Sequence, residues 1–177
     1  MQMATRTLSP SFHLRGRPTV TVLVCGSPDR GDDGAALRAV ELLRPETRRR
    51  ANVQVVGQLG IDQLVDREPG SAVVVVDAAV GLPPGRVVTM SFADLRDGAR
   101  SPVARSSHEL PIPEVVGIAE LIGGPLRGGL VVIGGLDFSF GADCSPQVRD
   151  AIPEFADRIG HAIEDLAGVA TKSVTTQ

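Results

Sequence analysis

The chain is expected to fold as a three-layer α/β/α domain whose central sheet of about five strands is mostly parallel, with one antiparallel member, and is flanked by helices. Three observations predict this. From residue 19 onward, apolar strand-like runs alternate with segments of helical period. The run over residues 72–76 (AVVVV) is continuously apolar and β-branched, as in a central strand covered on both faces. Glycine, proline and aspartate cluster where these segments meet, and no internal repeat or low-complexity linker interrupts them.

Each element has its own justification. Residues 19–25 (TVTVLVC) form a first strand, and 26–34 (GSPDRGDDG) a loop that opens a helix over 35–43, with Ala36, Val40 and Leu43 on one face and Pro45 as its limit. A short strand over 52–56 and a short helix over 61–66 precede the 72–76 strand, whose terminal residue is Asp77. The GLPPG turn then leads to a strand over 87–90, too soon for a helical crossover, so this pair is expected to be antiparallel and the sheet mixed. A helix over 112–122 aligns Val115, Ala119 and Ile122, and residues 129–136 (GLVVIGGL) read as another buried strand. The last helix spans 145–166: Ser145 suits a cap, Pro146 the first turn, and Val148, Ile152, Phe155, Ile159, Ile163 and Leu166 form one stripe. Residues 1–18 and 168–177 are expected to be tails around a single domain over 19–167.

Composition limits what such a domain does. Its 177 residues are 42% hydrophobic and can bury roughly 70% of the unfolded surface, so neither a disulfide nor a structural metal is needed for a core. Seventeen Arg and one Lys stand against 21 acids, a net charge of −3, and there are no Trp or Tyr and five Phe. That balance disfavours phosphate neutralisation and base stacking, so no nucleic-acid partner is expected. Cys25 and Cys144 lie far apart, in neither a CxxC nor a zinc-finger spacing, which suits a reducing cytoplasm. The longest apolar run is about ten residues, too short for a membrane span.

Three residues stand out chemically. The 26–34 loop follows a strand and opens a helix, where α/β folds place ligand-binding groups. It lacks GxGxxG and the Walker lysine, and Asp29, Asp32 and Asp33 would repel a polyanion, so a cation is the better guest. A helix cap accounts for Asp32 or Asp33 but leaves its neighbour unexplained. Asp77 reads either as a turn residue bonding its own backbone or as a site residue at a strand end. In a doubly wound sheet Asp33 and Asp77 approach each other across one crevice, and two such carboxylates share a proton or hold a metal. His108, in SSHELPIP just before a helix, is the histidine placed to meet that crevice, whereas His13 lies in the tail and His161 points to solvent. A serine hydrolase is disfavoured because GxSxG is absent, HExxH is absent too, and Cys144 reads as a small buried side chain.

In this order and setting, the motifs resemble the nickel-iron hydrogenase maturation proteases, which trim the C-terminal extension of the hydrogenase large subunit. Matching segments are Gly26 with Asp32-Asp33-Gly34, then Val76-Asp77-Ala78 with Pro84-Gly85, Ser106-Ser107-His108, and Cys144-Ser145-Pro146, spread over residues 20–166. Ser27 departs from the family's usual Asn, Gly57-Gln58-Leu59-Gly60 replaces a DGGT-like loop, and Asp33 stands where some members use Glu. The resemblance implies an endopeptidase with Asp33, Asp77 and His108 as the catalytic, nickel-contacting set, and a hydrogenase large-subunit precursor as partner. It further implies that the nickel is supplied by that precursor, the free enzyme holding none. A cytoplasmic monomer is expected. A non-catalytic nickel-sensing accessory protein of hydrogenase assembly would keep the same ligands, and a nucleotide-binding module would instead bind phosphate at the Gly26 loop.

Overall fold

The computed structural model describes residues 20–68, 70–96 and 111–173. Strands β1 (Val20–Cys25), β2 (Ala51–Gly57), β3 (Ala72–Ala79), β4 (Val87–Ser91) and β5 (Gly128–Gly134) form one sheet in the order β2-β1-β3-β5-β4. The pairs β1/β2, β1/β3 and β3/β5 are parallel, and β4 lies antiparallel on β5. The mixed five-stranded sheet is therefore as expected, except that β4 pairs with β5 and not with β3. Burial explains the difference. All eight residues of β3 are buried, so it needs a strand on each side, whereas no residue of β4 is fully buried and it fits the edge.

Helices cover both faces. On one side, α1 (Ala35–Glu41) and α6 (Pro146–Ser173) pack on Val20, Val22, Val24, Val74 and Val76. On the other, α3 (Ile61–Val65), α4 (Phe92–Arg96) and α5 (Ile112–Gly123) pack on Leu23, Cys25, Val73 and Val75. The alternation of these strand residues between the two clusters is the period-2 pleat of a sheet. Pro45 ends the first helix and begins a separate single turn, α2 (Pro45–Arg48), because its ring is tolerated at a helix start but not in its interior.

The expected stripe of α6 is present: Val148, Ile152, Phe155, Ile159 and Ile163 are all buried, and Leu166 packs against the same cluster. Phe155→Ala is expected to cost about 3–5 kcal/mol of stability, read as a lowered urea midpoint at unchanged slope, because Phe155 is fully buried against both sheet and α1. Two boundaries differ from expectation. The helix runs over Pro146–Ser173, past the expected end at residue 166, and it passes through Pro153, which sits at an exposed position. In α5, Ile112 and Val116 join Val115 and Ala119 in the core, while Ile122 faces outward. No helix among the described residues is long and apolar enough to cross a membrane.

Chain order and strand order together define where a ligand would go. The β1-to-β2 connection carries α1 on one face, and the β2-to-β3 connection carries α3 on the other, while β1 and β3 are neighbours. Consecutive connections thus leave to opposite sides between β1 and β3, and the carboxyl ends of those two strands flank the crevice at the switch point of the sheet.

Candidate active site

Gly26 turns the chain out of β1 at φ +106°, and its amide donates to the Gly57 carbonyl at 2.7 Å. A Cβ on Gly26 would lie 2.0 Å from the Asp33 carbonyl oxygen and 3.6 Å from Asp33 Cγ. Only glycine lets the acidic segment fold back so closely onto the strand end. That segment is a 3-10 turn, Gly31–Gly34, with all four residues buried. Asp33 is 4% exposed, and the Ser27 amide donates to its Oδ2 at 2.9 Å. The Ser27 side chain is not needed for this bond, so the serine at the usual Asn position leaves the backbone support of Asp33 in place.

Asp77 is 1% exposed and belongs to β3 itself, two residues before the strand ends at Ala79. The Ala78 amide donates to Asp77 Oδ1 at 2.8 Å, so the local bond expected of a turn aspartate exists within the strand. On one side Asp77 is aligned with Val132 of β5, and the register of β3 with β1 runs as far as Val76 and Val24. Pleat alternation puts Asp77 on the α5 face together with Cys25. The Cys25 thiol lies within the field of both acids: burial pushes its pKa up, the Asp77 and Asp33 carboxylates push it further, and a bond from the Leu59 backbone acts the other way. The buried Cys25 thiol at the end of β1 is thus held protonated.

The structure therefore places Asp33 beside Gly26, where the chain leaves β1, and Asp77 near the end of the neighbouring strand β3. His108, with Ser106 and Ser107, lies outside the described residues; α5, which follows it, starts at Ile112 on the face to which Asp77 points. Among the described residues, no group of three or more His, Cys, Asp or Glu side chains is arranged to hold a metal. The acid pair supplies two oxygen donors, and an imidazole added to them would make a mixed N/O set suited to a borderline divalent ion.

Asp32 has a role that sequence reasoning missed. Neither it nor Asp33 caps α1, whose first residue follows Gly34 without a side-chain bond. Asp32 is fully buried, and its carboxylate accepts the amides of Leu136 (2.8 Å), Asp137 (3.0 Å) and Ser145 (2.7 Å) as well as the Ser145 hydroxyl. Burial alone would raise its pKa, but the bonds from the Ser145 hydroxyl and the three amides outweigh it and hold the carboxyl below the usual aspartate range. With a folded pKa below the unfolded one, the stabilisation is complete above the unfolded value and disappears as pH falls through the folded value. Acid unfolding of Asp32→Asn is accordingly expected to lose this component, so that its stability falls less steeply than that of the parent as pH drops below about 4. Urea midpoints across that range check it.

The fold defines a doubly wound α/β protein with two buried acids, Asp33 and Asp77, near the carboxyl ends of β1 and β3 at its switch point. No family model matches the chain. Over 164 residues it is 35% identical to the hydrogenase expression/formation protein HupD of Thiocapsa roseopersicina, covering 87% of this chain and 70% of that protein. Its fold is that of the [NiFe] hydrogenase maturation protease HybD from Thermococcus kodakarensis, with a TM-score of 0.61 at 23% identity over 80% of this chain and 97% of that one. It is equally that of the hydrogenase maturating endopeptidase HybD from E. coli, with a TM-score of 0.62 at 18% identity over 82% and 92%. The chain belongs to the nickel-iron hydrogenase maturation protease family.

Proposed function

We propose that the protein is an endopeptidase that removes the C-terminal extension of a nickel-iron hydrogenase large-subunit precursor, reading the nickel already inserted there through Asp33, Asp77 and His108. Family membership supports the reaction class. The observation that carries the residue assignment is the pair of buried carboxylates, Asp77 near the end of β3 and Asp33 in the turn that folds back onto Gly26 at the end of β1. Nickel at the scissile region would polarise the carbonyl or lower the pKa of a bound water toward ~7.

In this reading the chain's own residues do the rest. Asp33 and Asp77 grip the metal-bearing segment from two sides, His108 supplies the nitrogen donor from the segment before α5, and a carboxylate of the pair accepts the proton of the attacking water. Asp33 is one methylene shorter than glutamate, so the crevice closes slightly to keep coordination distance. The 78–86 segment, which leaves β3 after Ala79 and exposes Val80 at 43%, rims the crevice and docks the precursor together with the segment before His108. The protein acts as a cytoplasmic monomer, with no nickel of its own before it meets the precursor.

Incubating the protein with nickel-loaded and nickel-free precursor tests this. A shortened product from the loaded form alone is expected. Cleavage of both forms would remove nickel recognition, and nickel-dependent binding without cleavage would make the protein a sensor.

A further inference from the structure

The loop that carries the acid pair's first member is tied to a part of the chain more than 100 residues away. Asp29 accepts the Gly141 amide through its carbonyl at 2.7 Å, Arg30 Nε donates to the Phe138 carbonyl at 3.3 Å, and the Asp32 amide donates to the Asp137 carbonyl at 2.9 Å. The Asp32 carboxylate completes the tie by accepting the three amides and the Ser145 hydroxyl described above. Close approach accompanies these bonds: a Cβ on Gly31 would lie 2.5 Å from the Asp137 carbonyl oxygen, and one on Gly135 would lie 3.2 Å from Asp32 Cβ. Asp32 and Asp33 are adjacent in one buried turn, yet their carboxylates serve opposite sides. Asp32 faces the segment between β5 and α6, while Asp33 faces the Ser27 amide and the crevice.

We propose that Asp32 is a positioning residue for the hydrolytic reaction: by collecting the donors of the β5–α6 connection, it fixes the buried 3-10 turn in the one placement that aims Asp33 at the crevice. This rests on the protease reading of the site. A 3-10 turn of four residues holds only a few i→i+3 bonds of its own, such as Asp33 N–H to the Arg30 carbonyl at 3.0 Å, so its orientation is set mainly by outside contacts. The donors converging on Asp32 supply that constraint, since several backbone amides on one carboxylate define its position in every direction. The carboxylate of Asp32 is occupied by Leu136, Asp137 and Ser145, and it acts on the reaction through Asp33 alone.

The test uses the full chain with Asp32→Asn and Ser145→Ala. Asparagine keeps the volume but sets an NH2 group against at least one of the converging donors, whereas Ser145→Ala removes one donor and leaves the carboxylate. Against nickel-loaded precursor, Asp32→Asn is expected to lower kcat on the order of 10²-fold, the usual cost of a catalytic group displaced by about 1 Å, with KM within about twofold. Ser145→Ala should lower kcat several-fold in the same sense. A second readout needs no activity. In Asp32→Asn and in Ser145→Ala the Ser27 amide, which donates to Asp33, should exchange its hydrogen roughly tenfold faster or more, while the amides of Val22 and Val74 stay within about twofold of the parent.

If the parent fails to cleave the precursor, the protease reading falls and the exchange data still decide the positioning role. Unchanged Ser27 exchange in Ser145→Ala, or acceleration of Val22 and Val74 by the same factor, overturns it. So does a folded Asp32→Asn with parental kcat, or one whose defect is in KM alone. Should Asp32→Asn not fold, Ser145→Ala carries both measurements.

Discussion

Asp77→Asn is expected to slow processing of the nickel-loaded precursor by about 10³-fold or more while the protein remains folded. On the proposed function, the loss combines a missing anionic ligand with a missing proton acceptor, each a large contribution in a buried site. The fold should persist because an asparagine carbonyl still accepts the Ala78 amide that now bonds Asp77 Oδ1 at 2.8 Å. The Cys25 thiol beside the two carboxylates stays protonated and neutral, and Asp77→Asn removes the cost of keeping a charge buried at a position only 1% exposed. The melting temperature of Asp77→Asn is therefore expected to hold or rise, the reverse of the activity, as is common where a site is kept at the expense of stability. Asp33→Asn should behave alike. Full activity in either variant would remove that residue from the mechanism, and a collapse of melting temperature would show that the carboxylate serves the fold.

Gly26→Ala is expected to damage both fold and function. Its φ of +106° disfavours any side chain, at about 1–2 kcal/mol, and the new Cβ would sit 2.0 Å from the Asp33 carbonyl oxygen, an overlap worth about 1–3 kcal/mol more. The combined loss of about 2–5 kcal/mol would appear in urea unfolding, and relief of the overlap must move Asp33 out of line. Processing should fall even in conditions where the variant is folded. A stability loss below about 1 kcal/mol would mean that the acidic turn is not seated against the end of β1 as described.

Much of this was legible in the chain itself, for identifiable physical reasons. The apolar run before Asp77 announced a central strand, because only a strand buried on both faces tolerates such continuity. Asp33 could be placed because a loop between a strand and a helix in such a fold opens onto the ligand edge. The partner of β4 was not legible: a short connection specifies the sense of a strand, but which neighbour it pairs with depends on the burial needs of β5, contributed some 40 residues later. The role of Asp32 was hidden for the same reason, since its donors lie at Leu136, Asp137 and Ser145 and no local spacing couples them to the acidic loop. Asp77 was placed at a strand end, whereas β3 runs to Ala79 because β5 keeps pairing with it after β1 has turned away. Ser145 looked like a helix cap, and its hydroxyl instead reaches across to Asp32.

The central claim is that two buried acids and one imidazole meet on a single nickel ion carried by the precursor. Diffraction at the nickel edge from crystals of the protein bound to nickel-loaded precursor tests it directly. The account predicts one ion bonded, at about 2.0–2.2 Å, to an oxygen of Asp33, an oxygen of Asp77 and a ring nitrogen of His108. Nickel lying away from both carboxylates, or held by them with His108 turned to solvent, would contradict it.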